Sequence, residues 1–145
     1  MTGVGQPAVV DALETIAYGT VAVTTRALAA FGIELTFPQW RVLIVVGNRP
    51  EGASVSDVAE LLGSELSPTS RLVARMARRG LVGLEKHPYD RRVTVVRLTD
   101  GGRDLREAVV ARRRELLAEA AAGVDVDGAA LEGLKRLGAG FSRYR

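Results

Sequence analysis

The sequence predicts a mainly α domain with one small β-hairpin, its elements in the order ααααββαα. Three observations predict it. Apolar residues recur at three- and four-residue intervals through most of the chain. Glycines punctuate that pattern at Gly32, Gly47, Gly63, Gly80 and Gly123. Only two stretches, 81–86 and 93–98, read as strands, on either side of a turn cluster.

Residues 1–6 read as a loose tail, and Pro7 opens the first helix at a position where its missing N–H costs nothing. Val10, Leu13, Ile16 and Ala17 follow helical spacing. The segment 19–25 is poor in helix formers, and Val21 to Thr25 taken alone suits a strand. Leu28 and Phe31 resume the same apolar face, so one helix is expected up to Gly32. Residues 33–37 connect to a second helix, with Thr36 as cap and Pro38 in the first turn. It runs to about Val46 and buries Trp40, Leu43 and Ile44. A turn cluster, 47–52, follows. Ser54 or Ser56 caps a short third helix with Val58, Leu61 and Leu62 inward, and Gly63 stops it.

The fourth helix begins between Ser64 and Pro68 and ends at Arg79, with Leu72, Val73 and Met76 on its buried face. Strands at 81–86 and 93–98 flank the loop 87–91, with Val93, Val95 and Leu98 packing, Thr94 and Arg97 outward, and Val96 unassigned. Thr99 or Asp100 caps a fifth helix to about Ala122, whose Leu105, Val109, Leu116 and Ala120 form a seam like that of a coiled coil. After a turn at 123–127, Leu131, Leu134, Leu137 and Phe141 mark a sixth helix.

The length, 145 residues, suits one domain, 1–145, and 47% apolar content allows a sizeable core. With no cysteine there are no disulfides, thiolate metal sites or thiol redox sensors. The single histidine, His87, cannot build a metal site by itself, and a lone loop histidine is seldom a pH sensor. No apolar run approaches the roughly 20 residues of a bilayer span, and no basic segment followed by an apolar run opens the chain. A cytoplasmic protein without membrane contact is the expectation. Nothing nominates an enzyme: there is no Ser-His-Asp arrangement, GxxxxGK or GxGxxG, and no cofactor or metal is expected.

Charge is more informative where it concentrates. The overall net charge is +3, yet between residues 71 and 97 eight cations (Arg71, Arg75, Arg78, Arg79, Lys86, Arg91, Arg92, Arg97) face only Glu85 and Asp90. That local excess of +6 suits phosphate. A basic helix alone is more often a solvated face. Here it sits inside residues 54–101 in the order helix, turn, basic helix, hairpin with a charged tip, which is a winged helix-turn-helix. Such an arrangement can grip a duplex at two adjacent grooves. Residues 36–100 are thus the expected DNA-binding region. The flanking helices, 7–32 and 101–145, carry apolar faces that one chain does not obviously cover, and a second copy would cover them.

Four pieces of the chain resemble the MarR family of bacterial transcription regulators. They are Leu35-Thr36-Phe37-Pro38-Gln39-Trp40-Arg41-Val42-Leu43, then Val58-Ala59-Glu60-Leu61-Leu62-Gly63, then residues 71–82 (RLVARMARRGLV), and last Asp90-Arg91-Arg92 with Leu98-Thr99-Asp100-Gly101-Gly102. Each is weak alone, but together, in order and at family spacing, they are specific. The resemblance implies a triangular homodimer joined through helices one, five and six. It implies a recognition helix, about residues 67–79, in the major groove and a wing Asp-x-Arg motif, Asp90 and Arg92, at the minor groove. It also implies DNA affinity lowered by a small, often aromatic, ligand. Two departures stand out. The segment 64–68 is unusual, so either Ser67 caps and Pro68 is the first helical residue, or the helix starts earlier and is distorted. Leu84 stands where a basic residue is common.

The expected function is sequence-specific binding of double-stranded DNA at an inverted-repeat operator, most simply as a repressor. The alternative is a winged-helix module for protein contacts. Direct readout falls to Ser67, Thr69, Ser70 and Arg71, with Arg71 able to take guanine O6 and N7 together. Arg75 suits a phosphate better, and Arg78 and Arg79 suit either DNA or plain surface charge. In the wing, Arg92 and Arg91 fit the negative minor groove. Asp90 would repel phosphate and so is assigned to orienting an arginine. Tyr18, Trp40 and Arg41 form a candidate pocket for a small aromatic or anionic ligand, although Trp40 alone reads as core.

Overall fold

The computed structural model describes residues 5–32 and 34–144, so most of the expected N-terminal tail and Ile33 in the first connection lie outside the described residues. Six helices and three short strands are found there: α1 (Gln6–Ala29), α2 (Phe37–Gly47), β1 (Ala53–Ser54), α3 (Val55–Leu62), α4 (Leu66–Arg78), β2 (Val82–Lys86), β3 (Thr94–Leu98), α5 (Asp100–Ala121) and α6 (Gly128–Gly140). The helices and the hairpin come in the expected order, and β1 is the addition. Contacts gather the chain into two compact units: α1 with residues 108–122, and residues 35–107 with 123–145. No helix among the described residues is long and apolar enough to cross a membrane.

In the first unit, α1 continues unbroken through 19–25, so the helical face wins over the local strand propensity. Thr15, Thr20, Thr24 and Thr25 each turn their hydroxyls back onto a carbonyl three or four residues earlier, which keeps β-branched polar residues inside a helix. The buried residues of α1 are Thr24, Ala27 and Leu28. On α5, Val109 and Leu116 are buried, whereas Ala120 is exposed, so the expected seam ends at Leu116. The Arg113 Nε–H donates to Thr24 Oγ1 at 2.8 Å.

The second unit is built on capped helices. Thr36 and Gln39 form a reciprocal capping box on α2: Gln39 N–H donates to Thr36 Oγ1 (3.4 Å) and Thr36 N–H to Gln39 Oε1 (3.0 Å). Ser54 and Asp57 do the same for α3, which decides between Ser54 and Ser56 as its cap. Gly63 ends α3 in the left-handed region at φ 63°, where only glycine is unstrained. Trp40, Val42, Leu43 and Val46 of α2 form the centre of the core with Val58 of α3 and Val73 and Met76 of α4. Ile44, Leu61, Leu62 and Leu72 are only half-buried, and Val42 takes the interior place expected for Ile44.

The sheet is antiparallel in the order β1-β3-β2. Ala53 pairs with Val96, which in turn faces Leu84, and Leu98 faces Val82. Val96 and Leu98 are therefore the buried pair, and Val93 and Val95 lie on the other, half-covered face with Arg97. The expected inward places of Val93 and Val95 are thus corrected, Val96, left unassigned, takes the interior, and Leu98 packs as expected.

The joint after β3 is tight. Thr99 N–H donates to the Leu81 carbonyl (3.2 Å), its hydroxyl to the Gly80 carbonyl (2.5 Å), and Gly102 N–H donates back to Thr99 Oγ1 (3.0 Å). Thr99, not Asp100, thus caps α5. A Cβ on Gly102 would collide with the carbonyl oxygen of Leu81. Gly102→Ala should therefore destabilise the protein by about 3 kcal/mol, the upper end of overpacking costs, read as a lowered midpoint in urea or thermal unfolding. Gly133→Ala in α6, where the added methyl meets nothing within 4 Å, should cost nothing in the same assay.

Candidate nucleic-acid interface

The basic helix α4 begins at Leu66, with Glu65 as its N-cap residue and no side-chain cap. Pro68 is then the third helical residue. The first four N–H groups of a helix have no partner within it, so the missing N–H of Pro68 breaks nothing. Its ring fits before the ladder starts, and the first bond is Thr69 N–H to the Glu65 carbonyl at 3.2 Å. The helix does start earlier than Pro68, as one alternative held, but without distortion.

Helical phase, fixed by buried Val73 and Met76, sets which side chains face out. Ser67, Ser70 and Arg71 are exposed, and Arg71 Nη1 donates to Ser67 Oγ at 3.0 Å, one turn back. Thr69 is 1% exposed and its hydroxyl donates to the Glu65 carbonyl at 2.8 Å. It belongs to the core, so its assignment to base reading is corrected. Arg75 and Arg78 are exposed, but Arg79 Nη1 donates to Gln39 Oε1 at 3.3 Å and ties the end of α4 to the capping box of α2. Sequence reasoning treated Arg79 as surface or DNA charge. Its partner lies 40 residues away, and no local signal marks it.

The hairpin tip is closed by two backbone bonds, His87 N–H to the Val93 carbonyl (2.9 Å) and Val93 N–H to the Asp90 carbonyl (3.0 Å). Within it Asp90 holds Arg92 by three bonds: Nε–H to Oδ1 (3.1 Å), Nη2–H to Oδ2 (3.1 Å) and the backbone N–H to Oδ1 (3.0 Å). The Arg92 side chain remains 92% exposed. The acid thus aims a guanidinium that still faces solvent, the geometry expected of an orienting residue. Arg92's guanidinium, then its N–H, and more weakly the nearby His87, hold the Asp90 carboxyl below the ordinary aspartate range. Asp90 raises Arg92 in return. Arg91 is exposed beside them. Behind the tip, Lys86 Nζ donates to Thr94 Oγ1 (3.1 Å), and Arg97 donates to the Pro50 carbonyl (3.2 Å) and pairs with Glu85 (3.5 Å).

The three residues proposed as a ligand pocket have different surroundings. Tyr18 is 75% exposed on α1, and Trp40 is core. Arg41 donates from both Nη atoms to the Leu62 and Leu61 carbonyls, each at 2.9 Å, and so caps the end of α3. A groove of about 520 Å³ does lie beside Arg41, lined by Phe37, Pro38, Leu62, Leu72 and Arg75 among others, with no carboxylate in its lining. Among the described residues no three His, Asp or Glu side chains gather as metal ligands.

The MarR family profile matches residues 33–93. Over 84 residues the chain is 37% identical to the HTH-type transcriptional repressor IacR of Pseudomonas putida, covering 58% of this chain and 50% of that protein. The chain spans about half the length of the curated relatives it matches. The crystal structure of RV1404 from Mycobacterium tuberculosis superposes with a TM-score of 0.81 at 29% identity, over 99% of this chain and 96% of the other. A mutant MarR from E. coli complexed with operator DNA shares the fold at TM-score 0.68 and 18% identity, over 88% of each chain.

The Asp90–Arg92 geometry has a direct test. Because the folded carboxyl is depressed, its contribution to wing order is complete above the ordinary aspartate value, about 3.9, and is lost as pH falls through the depressed one. Carbon-detected NMR should follow the Asp90 carboxyl titrating below its ordinary value. In Arg92→Ala it should move back towards that value.

Proposed function

We propose that this chain, whose residues 33–93 match the MarR family, is a member of that family of winged helix-turn-helix regulators and a dimeric, sequence-specific double-stranded-DNA-binding transcription regulator acting as a repressor. The observation that carries the reading is the wing tip: an arginine held out at 92% exposure by both oxygens of its own aspartate. An ion pair so exposed adds little to stability. Its value lies in presenting a planar cation of the size and charge that suits a narrow minor groove. The second support is α4, whose outward Ser67, Ser70 and Arg71 have the donors that read base edges, with Arg75 a turn further on for a phosphate. Arg91 adds charge at the wing.

The dimer is proposed from the helices. Val10, Ile16 and Val21 of α1 are 49–50% exposed, and Leu131 and Leu134 of α6 are 46–47% exposed. A second copy covering those faces would also present two reading helices to one duplex. Residues 7–32 and 101–145 are in this reading the assembly region and 36–100 the DNA-binding region. A small aromatic or anionic ligand that lowers DNA affinity is part of the same proposal. The groove beside Arg41 and Arg75 offers it apolar walls and positive charge.

Selection of bound duplexes from a random pool near 100 mM salt tests the whole reading. An inverted repeat with half-sites about one helical turn apart is expected. Salt-sensitive binding without enrichment would refute sequence-specific regulation and leave a non-specific DNA binder, whereas no salt-dependent binding to any duplex would favour the protein-contact module. On the selected duplex, Arg92→Ala should weaken binding about tenfold and lower the log–log salt slope by about 1. Asp90→Ala should weaken it as well, although it removes a negative charge. Improved binding would make Asp90 a merely repulsive acid. Truncation after residue 125 should give a smaller assembly on light scattering, and a clean dimer there would refute the interface.

A further inference from the structure

Resting on the DNA-binding reading above, we propose that Tyr89 is a backbone-gripping residue of the wing, its phenolic hydroxyl donating to a phosphate that borders the minor groove entered by Arg92. Tyr89 is 94% exposed, more than any other large apolar side chain among the described residues. The other large apolar residues more than half exposed, such as Tyr18, Leu66 and Val124, lie on helices or in the turn before α6. Tyr89 does not, and a second copy seated on α1 and α6 does not explain its exposure.

It is also held rather than loose. Its backbone N–H donates to His87 Nδ1 at 3.3 Å, and the two rings lie 6.0 Å apart with planes tilted by 58°. The loop that carries it is closed by the His87–Val93 and Val93–Asp90 backbone bonds. Its backbone therefore shares one hydrogen-bonded loop with Arg92, three residues on. Leaving a phenol ring in water on a stiff loop forgoes the burial that drives aromatic residues inward, and such amphipathic rings are favoured at interfaces.

Groove dimensions assign the role. The minor groove of B-DNA is about 6 Å wide and admits one guanidinium, so a ring beside it must stay on the rim. The rim offers sugar edges and phosphate oxygens. Tyrosine has an apolar face for the former and an O–H donor for the latter.

This role separates from that of Arg92 by charge. Tyrosine releases no counterion, so its contact changes affinity without changing the salt slope. Wild type, Tyr89→Phe and Arg92→Ala are titrated with the selected duplex at four salt concentrations. Tyr89→Phe keeps the ring and removes only the hydroxyl. It should bind about tenfold more weakly at every salt, as for a lost hydrogen bond to a charged group, with the wild-type slope retained. Wild-type affinity in Tyr89→Phe, while Arg92→Ala still lowers affinity and slope, would overturn the role of Tyr89 and leave the DNA-binding reading standing. A changed slope in Tyr89→Phe would overturn it too, because the hydroxyl would then act through the charge beside it. Failure of the wild-type protein to bind any duplex would overturn both.

Discussion

Gly102 has no side chain because the carbonyl of Leu81 occupies the space one would take. The packing of α4, the hairpin and α5 in the second unit depends on that approach. It brings the first turn of α5 onto the point where the chain leaves α4 and enters β2. Thr99 locks the junction by donating to the carbonyls of Gly80 and Leu81 while accepting from Gly102. Helix α4 ends at this junction, the hairpin begins and ends there, and α5 departs from it. A displacement of an ångström here would move the hairpin relative to α4, the two elements that the proposed function needs in register. A small residue is thus required at a position away from the proposed interface.

The same logic of fixed presentation recurs at the tips. Arg71 is steadied by Ser67 and Arg92 by Asp90, each within its own element. Long cationic side chains lose considerable rotamer freedom when they bind. A guanidinium already oriented in the free protein has less to lose, which raises affinity without adding a contact. The acid that does this at the wing is spent on its neighbour through both oxygens, so the repulsion it would otherwise exert on phosphate is largely offset. Arg79 and Arg41 have the opposite fate. They donate to Gln39 and to the carbonyls ending α3, where they tie helices together.

Much of this was legible in the chain. Caps, glycine stops and apolar periodicity located the helices because these signals are local: Thr36 and Gly63 act within one turn of themselves, while the choice between Ser54 and Ser56 fell to the capping box with Asp57. What escaped is non-local or too short to leave a pattern. Two residues, Ala53 and Ser54, cannot show alternation, so β1 was invisible. Val93, Val95 and Val96 surround a single threonine, and a run so uniformly β-branched does not say which face is inside. Pairing with Ala53 and Leu84 decides it. Thr69 was misread although it lies inside the helix whether that begins at Leu66 or Pro68, and Leu72, Val73 and Met76, three, four and seven positions on, mark its face as the buried one. The paired wing residues Asp90 and Arg92 were legible since they are two positions apart, whereas the surroundings of Tyr18, Trp40 and Arg41 were not.

Helices α1 and α6 raise a question of energy. Helix α1 is 24 residues long, yet only Thr24, Ala27 and Leu28 are buried, all towards its C-terminal end. Helix α6 has no buried residue at all, although Leu131 and Leu134 lie along it. Helices in water derive most of their stability from packing an apolar face, and propensity alone leaves short ones marginal. Glycine at 133 and 138 lowers the propensity of α6 further. On these terms α6 and the N-terminal turns of α1 have little packing surface among the described residues. A second copy would supply it, and order in these helices would then belong to the assembly rather than to the protomer. Two reading helices would be spaced by the same contacts that let those flanking helices fold.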